Sequence, residues 1–480
     1  MYVGGLDIGT SGCKIVLYDE KGAFGGSYYK EYDVKRTSGL HEIDAEEIFA
    51  SVCDILSQAA EQEIAAIAVT SFGETYTMLD EHDKPCAPSM LYTDPRGKDE
   101  CLLLADTFGA EALAYKTGAA PHEMYSLPKI MWIKKHMPES FARAKHILLM
   151  QDYIVYMLSG VCQIDYSLAA RTICFDLKKK CWDKELLEFC GIDEKLLSIP
   201  VPSGTIAKTI KPAIAEKLGL NPNLQIVSGC HDQIAAMTGA NVFHCDEVMD
   251  GTGTVECVPV IMEEVPTDFS LYEKGYSIAP HINGKYACYV LSYAGGATLK
   301  WFRDNICNKP YEELNKMLKD EPSDLMIMPH FAGAATPYMD NASKAVVIGL
   351  TFEHGIADIY RALMEGTAYE IRVNLELLKN YGITPNMLIA TGGGANSDVW
   401  LQIKADVTGI PVTALDGKEI GGAGTAFLAG RAISMYPDKM KLFEERKRFY
   451  PNPETHAYYS KQFRKYQKIY NCAKEILNDE

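Results

Sequence analysis

The chain has 480 residues, 47% of them hydrophobic and 23% charged, with a formal net charge of −17 and a pI near 5.2. At roughly 100–200 residues per domain that length predicts two to three domains, and the composition is that of a globular protein able to bury large cores. The acidic balance excludes a nucleic-acid binder, which needs a basic face, but not an anionic ligand, because backbone N–H groups can hold phosphate without basic side chains.

The chain opens on a strand, a turn and a strand across Tyr2 to Gly22, with Gly9, Thr10, Ser11 and Gly12 in the turn. In LDIGTSGCK an acidic residue, Asp7, ends the first strand, and Lys14 lies beyond a turn of small residues. Small residues let backbone N–H groups approach a phosphate, Thr10 and Ser11 add hydroxyl donors, and Asp7 is placed to hold Mg²⁺ through water. A plain hairpin is the simpler account. Next come a buried-type strand, Ile64 to Thr70, and helices at Ala110–Thr117, Lys129–His136 and Leu148–Leu158.

The strand Ile226 to Cys230 runs directly into His231-Asp232-Gln233 and a small-residue helix. A carboxylate after a buried strand sits where α/β enzymes place their chemistry, and Asp232 is the candidate general base. A helix N-cap is its simpler role, and His231 reads as structural. A boundary falls near Phe243–Asp246, before a second hairpin, Glu247 to Met262, whose turn is Gly251, Thr252, Gly253 and Thr254. Two such hairpins hint at duplicated halves. A long amphipathic helix, Gly355 to Tyr381, precedes a strand, Met387 to Thr391, then Gly392, Gly393, Gly394 and Asn396, and a helix from Ser397 to Gly409. Three glycines before a helix place open backbone at its positive N-terminus, suited to a nucleotide or to close packing alone. The last helices are polar and charged. The alternation of strands and helices makes the chain α/β.

Other signals are missing from the sequence. The fourteen cysteines show no C-x-x-C or zinc-ligand spacing. No run reaches the roughly 18–20 apolar residues of a membrane span, and MYVGGLDIGT does not read as a signal peptide. A reducing cytoplasm is therefore the expected location, with no membrane partner. No G-x-x-x-x-G-K-[ST] or strand-linked G-x-G-x-x-G occurs.

In this order the segments LDIGTSGCK, SFGETYTMLD, YTDPRG, QDYIVYMLSG, DYSLAARTICFDL, SGCHDQIAAMTGA, DGTGT, RALMEGTAYEIR, TGGGANSDVWLQIKADVTGIPV and GGAGTAFLAG resemble the FGGY carbohydrate kinases, from the first strand to about Gly430. The resemblance implies two actin-like (ribonuclease H-like) domains with the active site, ATP and Mg²⁺ in the interdomain cleft. Residues 1–243 would carry the sugar, the first phosphate loop and the base, and residues 244–480 the second phosphate loop and adenosine. It implies Asp232 as catalytic base and Asp7 as the Mg²⁺-associated acid. Thr10, Ser11, Lys14, Gly251, Thr252, Gly253, Thr254, Gly392, Gly393, Gly394 and Asn396 would serve the nucleotide. Glu74, Thr75, Asp94, Asp232 and Gln233 would serve the substrate. The family's frequent dimers make a homodimer an expectation.

The implied reaction is ATP-dependent phosphorylation of a small sugar or polyol, with a ketopentose such as xylulose taken as substrate and a glycerol- or gluconate-type kinase as the alternative. Glycerol kinases carry Arg-Glu-Thr where this chain has Gly73-Glu74-Thr75, and xylulose kinases carry Met-His in place of Gly73-Glu74. An actin-like ATPase or assembly module, or a non-catalytic sugar sensor, would share the hairpins; the first of these has no need of SGCHDQ.

Overall fold

A computed structural model describes residues 1–478 apart from 38, 418 and 439. It divides into two compact units: Met1–Asn241 with Ile278–Ala287 and Glu419–Leu442, and Val242–Ser277 with Cys288–Lys418 and Phe443–Glu480. The break at Asn241/Val242 lies beside the one read from sequence. The segments 278–287 and 419–442, which that reading places in the second half, pack instead with the first unit.

The first unit is built on a six-stranded sheet. Tyr2–Ile8, Gly12–Asp19 and Phe24–Glu31 form an antiparallel meander. Ile64–Ser71 pairs parallel with Tyr2–Ile8, Gln225–His231 pairs parallel beyond it, and Thr205–Thr209 closes the edge antiparallel. Both strands inherit near-continuous apolar runs, as strands covered on two faces must. One face is buried with Ile48, Val52 and Ile55 of the helix Ala45–Gln58 and Ile154 and Leu158 of the helix Met150–Ser159. The predicted helix at Leu148 begins two residues late, because Leu148 and Leu149 end the strand His146–Leu149.

The other face carries the helix Ile420–Ala432, from IGGAGTAFLAGRA. It is hydrophobic nearly all round, as a fully buried helix is. Its backbone meets other backbones directly. A Cβ added at Gly5 would overlap the Gly422 carbonyl and come 2.7 Å from Ala426 N, and one at Gly424 would overlap the Ala235 carbonyl and come 2.6 Å from Gly239 N. This close approach is why Glu419–Leu442 belongs to the first unit.

The second unit repeats the strand plan. Glu247–Thr252 turns into Glu256–Cys257, which pairs back antiparallel with Gly251 opposite Cys257 and Thr252 opposite Glu256. Met387–Gly392 lies parallel on the other side, then Val412–Leu415 parallel, then Glu445–Phe449 antiparallel. The core between the helices Ile356–Leu378, Asp398–Thr408 and Pro453–Asn478 holds Leu363, Trp400, Tyr459, Phe463 and Tyr466. The last helix, polar by composition, thus buries an aromatic stripe at helical spacing. Among the described residues no helix is long and apolar enough to cross a membrane.

Gly424→Ala forces a methyl into the Ala235 carbonyl and is expected to cost about 1–3 kcal/mol or more of stability. Gly421→Ala, in the same helix with open space at its Cβ, is expected to be neutral or to stabilise by about 0.5–1 kcal/mol through helix propensity. Thermal unfolding of the pair checks both signs.

Candidate active site

In the first unit the parallel strands Tyr2–Ile8, Ile64–Ser71 and Gln225–His231 bring their C-terminal ends together, with Asp7 opposite Thr70 and His231 opposite Ser71. That is where open α/β sheets bind ligands. Asp7 is cross-strand from Lys14. The turn between them is pinned by Gly9 N–H donating to Gly12 O (2.9 Å) and by the Tyr32 hydroxyl donating to Gly9 O (2.6 Å), which leaves Thr10 and Ser11 at its tip. Lys14 does not stand free. Its ammonium reaches both oxygens of Glu419 at 3.1 Å and sits 5.5 Å over the Tyr29 ring. Glu419, just before the Ile420–Ala432 helix, is a member of this site that the sequence reading did not name.

Asp232 is the first residue of the helix Asp232–Gly239. The N-cap is His231, whose Nδ1 accepts Gln233 N–H at 3.3 Å, and Asp232 stands one residue inside it. Burial and the Arg171 charge push His231 down to about 3, which keeps the ring neutral. Asp232 Oδ1 is buried and, among the described residues, has no hydrogen-bond partner, with His231 Nδ1 3.0 Å away. Desolvation raises Asp232 to about 6 against the lowering influence of Gln233 hydrogen bonds and Arg171. Asp7 is raised to about 7 by desolvation, then by the charge of Asp232, with Lys14 opposing. The site therefore contains a carboxylate poised to take a proton near neutrality beside a second carboxylate crowded by negative charge.

Glu74 and Arg171 lie on the His231 side of the site, and the Arg171 charge is felt at His231 and Asp232. A Cβ built on Gly73 would be 3.0 Å from Arg171 Cγ and 3.2 Å from His231 Cδ2. Arg171 Nε donates to Glu74 Oε1 at 2.5 Å, and its guanidinium stacks 5.0 Å over Tyr125. Arg171, within DYSLAARTICFDL, went unnamed in the sequence; its only signal was a lone charge in a run of small and apolar residues. Gln233 hydrogen-bonds Asp232 through its side chain. Thr75 is wholly buried, and its hydroxyl has no partner among the described residues. Asp94 is differently placed: Oδ1 accepts from Arg96 N and Nε, and Oδ2 from Arg96 N–H and His41 N–H, at 2.7–3.0 Å. Its acceptor positions are spent on holding Arg96.

In the second unit the two glycine-bearing loops meet. A cavity of about 390 Å³ is lined by Thr252, Gly253, Gly393, Gly394 and Asn396 together with Tyr311, Asn315, Tyr360 and Trp400. Its volume and aromatic walls suit a planar base. The four latter residues were not singled out from the sequence. Gly392 takes φ +75, and a Cβ on Gly394 would strike the Thr252 side chain, so these glycines serve close packing, while Gly393 leaves open backbone at the cavity. Gly251 and Thr254 flank Thr252 and Gly253 in the hairpin.

The Thr252 hydroxyl is not turned to the cavity. It donates to Glu256 Oε1 (2.8 Å) and accepts from Lys404 Nζ (2.6 Å). Lys404 also reaches Asp250 at 2.7 and 2.9 Å and Glu256 at 2.6 Å, and all three charged side chains are fully buried. Burial holds Glu256 well above the carboxylate range, with the Lys404 charge opposing and that of Asp250 adding to the rise.

Residues 2–239 match the model of the FGGY family of carbohydrate kinases, N-terminal domain, and residues 252–433 that of the C-terminal domain. The xylulose kinase of Bacillus subtilis (strain 168) is 26% identical, covering 99% of this chain and 98% of its own. The gluconokinase of the same strain is 29% identical over 85% and 82%. Among solved structures, a ligand-bound xylulose kinase from Lactobacillus acidophilus superposes with TM-score 0.90 at 26% identity, covering 98% of each chain. A gluconate kinase from that species gives 0.90 at 26%, covering 100% of this chain and 98% of its own.

Lys404→Met strands the buried Asp250 charge and is expected to cost about 3–5 kcal/mol. Adding Asp250→Asn should recover much of that loss, a coupling that a double-mutant cycle of unfolding free energies measures.

Proposed function

The chain belongs to the FGGY family of carbohydrate kinases and is an ATP-dependent sugar kinase, and from that premise we propose that it phosphorylates a ketopentose such as xylulose, or a related alditol, with Asp232 as general base. The observation that carries this reading is the unpartnered, desolvated oxygen of Asp232 at the strand ends. Phosphoryl transfer asks the protein to hold the phosphates, offset their charge and align a nucleophile. In this reading the substrate hydroxyl donates to Asp232 and passes its proton there as the oxygen attacks the γ-phosphorus, the bond from that phosphorus to the β,γ-bridging oxygen breaks, and ADP leaves with the electron pair.

The repeated strand plan supports two actin-like halves, each bringing one small-residue hairpin suited to the phosphates of ATP. The hairpin of the second unit acts through the backbone of Gly253 and Thr254, since the Thr252 hydroxyl is engaged below. The cavity beside Trp400 and Asn396 takes the adenosine. Asp7 is the residue to hold Mg²⁺: a carboxylate crowded by Asp232 and Glu419 gains from a divalent cation, and Mg²⁺ binds through one or two carboxylates with water and substrate phosphates. When bound, that ion neutralises charge developing on the phosphates. Among the described residues the fourteen cysteines form no disulfide, which is in keeping with a cytoplasmic location. The gluconokinase relative favours aldonates as a second reading.

Asp232→Asn is expected to bind ATP normally and to lose about 10²–10⁴-fold in kcat. The base must be ionised to act, so kcat/KM for the sugar should fall as pH drops through about 6 and level off above it. Titration calorimetry with nucleotide and a coupled ADP-release assay across pH measure these. Near-normal turnover of the variant would remove Asp232 from the role.

A further inference from the structure

Glu74 stands out in the backbone. It is 4% exposed and holds φ +64, a left-handed conformation that costs any residue but glycine and persists only where its surroundings impose it. The Ser126 hydroxyl donates to its carbonyl at 2.6 Å. What this strained backbone delivers is a carboxylate against Arg171, which is 8% exposed and comes 97 positions later. Two guanidinium nitrogens, Nε and one terminal nitrogen, fall on the same oxygen, Glu74 Oε1. Tyr125 backs the guanidinium, and Gly73 leaves the room it occupies beside His231. The pair is thus one residue removed from the base, and the Arg171 charge is felt at Asp232.

We propose that the Glu74–Arg171 pair is a charge filter that makes the acceptor site select neutral sugars and alditols over aldonates. An arginine beside a desolvated site is a ready receptor for carboxylate, by charge and by its fork of donors. Glu74 neutralises that charge internally. A neutral acceptor meets a pair of zero net charge that offers hydrogen bonds to hydroxyls. An aldonate brings a third carboxylate to a place that already holds Glu74 and Asp232 against a single cation, and is repelled there. The inference rests on the sugar-kinase assignment and names which class of its substrates fits.

The test compares wild type, Glu74→Gln, Arg171→Met and the double variant with D-xylulose, xylitol and D-gluconate as probes. Coupled ADP release gives kcat/KM for each, and calorimetry without nucleotide gives gluconate binding. The expected result is a wild-type preference for D-xylulose over gluconate that Glu74→Gln narrows by about tenfold or more, through tighter gluconate binding. Arg171→Met should widen it, and the double variant, neutral again, should return it towards the wild-type value. Folding is checked by thermal unfolding; the double variant carries no buried unpaired charge and keeps the comparison with wild type even where a single variant unfolds. Gluconate preference in the wild type, or a ratio and gluconate affinity unmoved in Glu74→Gln or in the sign of Arg171→Met, would overturn the filter. Either result leaves the kinase assignment intact, whereas loss of ADP release with every sugar would strike that assignment instead.

Discussion

The contact on which the first unit depends is made without side chains. The Ile420–Ala432 helix rests its backbone on the strand Tyr2–Ile8 at Gly5 and on the helix Asp232–Gly239 at Gly239 and Gly424. This single approach sets the strand that ends in Asp7, the helix that begins with Asp232, and the segment that brings Glu419 to Lys14. Side-chain packing can yield by a rotamer, but backbone on backbone cannot, so the mutual placement of the four charged groups is inherited directly from the fold. A segment more than four hundred residues from Asp7 is therefore part of the same site.

The two hairpins share a strand plan and differ in electrostatics. Asp250 precedes Gly251 in the second hairpin much as Asp7 precedes Gly9 in the first. Yet Asp250 is buried and answered by Lys404, whereas Asp7 faces two like-charged neighbours and a lysine already paired with Glu419. One aspartate is spent on holding its own hairpin; the other is left crowded by like charge, the setting in which the proposed reading places a cation. The second hairpin is a rigid floor, tied to the helix Asp398–Thr408 by Lys404 and to the glycine loop by the seat of Gly394 on Thr252. A floor already rigid would have little ordering cost left to bear if it meets a nucleotide as proposed.

Local chemistry was legible in the sequence where it depended on near neighbours. The hairpin turns, the buried strands around Ile67 and Val227, the Asp232 position and the Gly392–Gly394 turn follow from patterns a few residues long. Partnerships across the chain were not legible. Arg171 and Glu74, Lys404 and Asp250, and Lys14 and Glu419 are each brought together by topology, and nothing local distinguishes such a residue from a solvated charge. Asp94 illustrates the converse: its segment matched a family pattern, but its carboxylate is consumed by Arg96 two residues on. The last helix misled because its tyrosines sit among lysines and arginines, and only the spacing of Tyr459, Phe463 and Tyr466 reveals the buried stripe.

A protein of net charge −17 that handles ATP must answer the phosphate charge somewhere, and side-chain cations are poorly placed to do so. Lys14 is held by Glu419, Arg171 by Glu74, and Lys404 by Asp250. Each is paired before any nucleotide arrives, and unpairing a desolvated cation carries its own cost. On the proposed reading the phosphates would be met by backbone N–H groups in the two small-residue hairpins and at the glycine turn, with fixed partial charges that need no reorganisation, and by a divalent cation held at Asp7. On that reading this is why glycine and threonine, rather than lysine and arginine, mark the segments proposed to hold the nucleotide. On the acceptor side the same reading leaves Asp232, whose buried Oδ1 has no hydrogen-bond partner among the described residues, to meet the substrate hydroxyl.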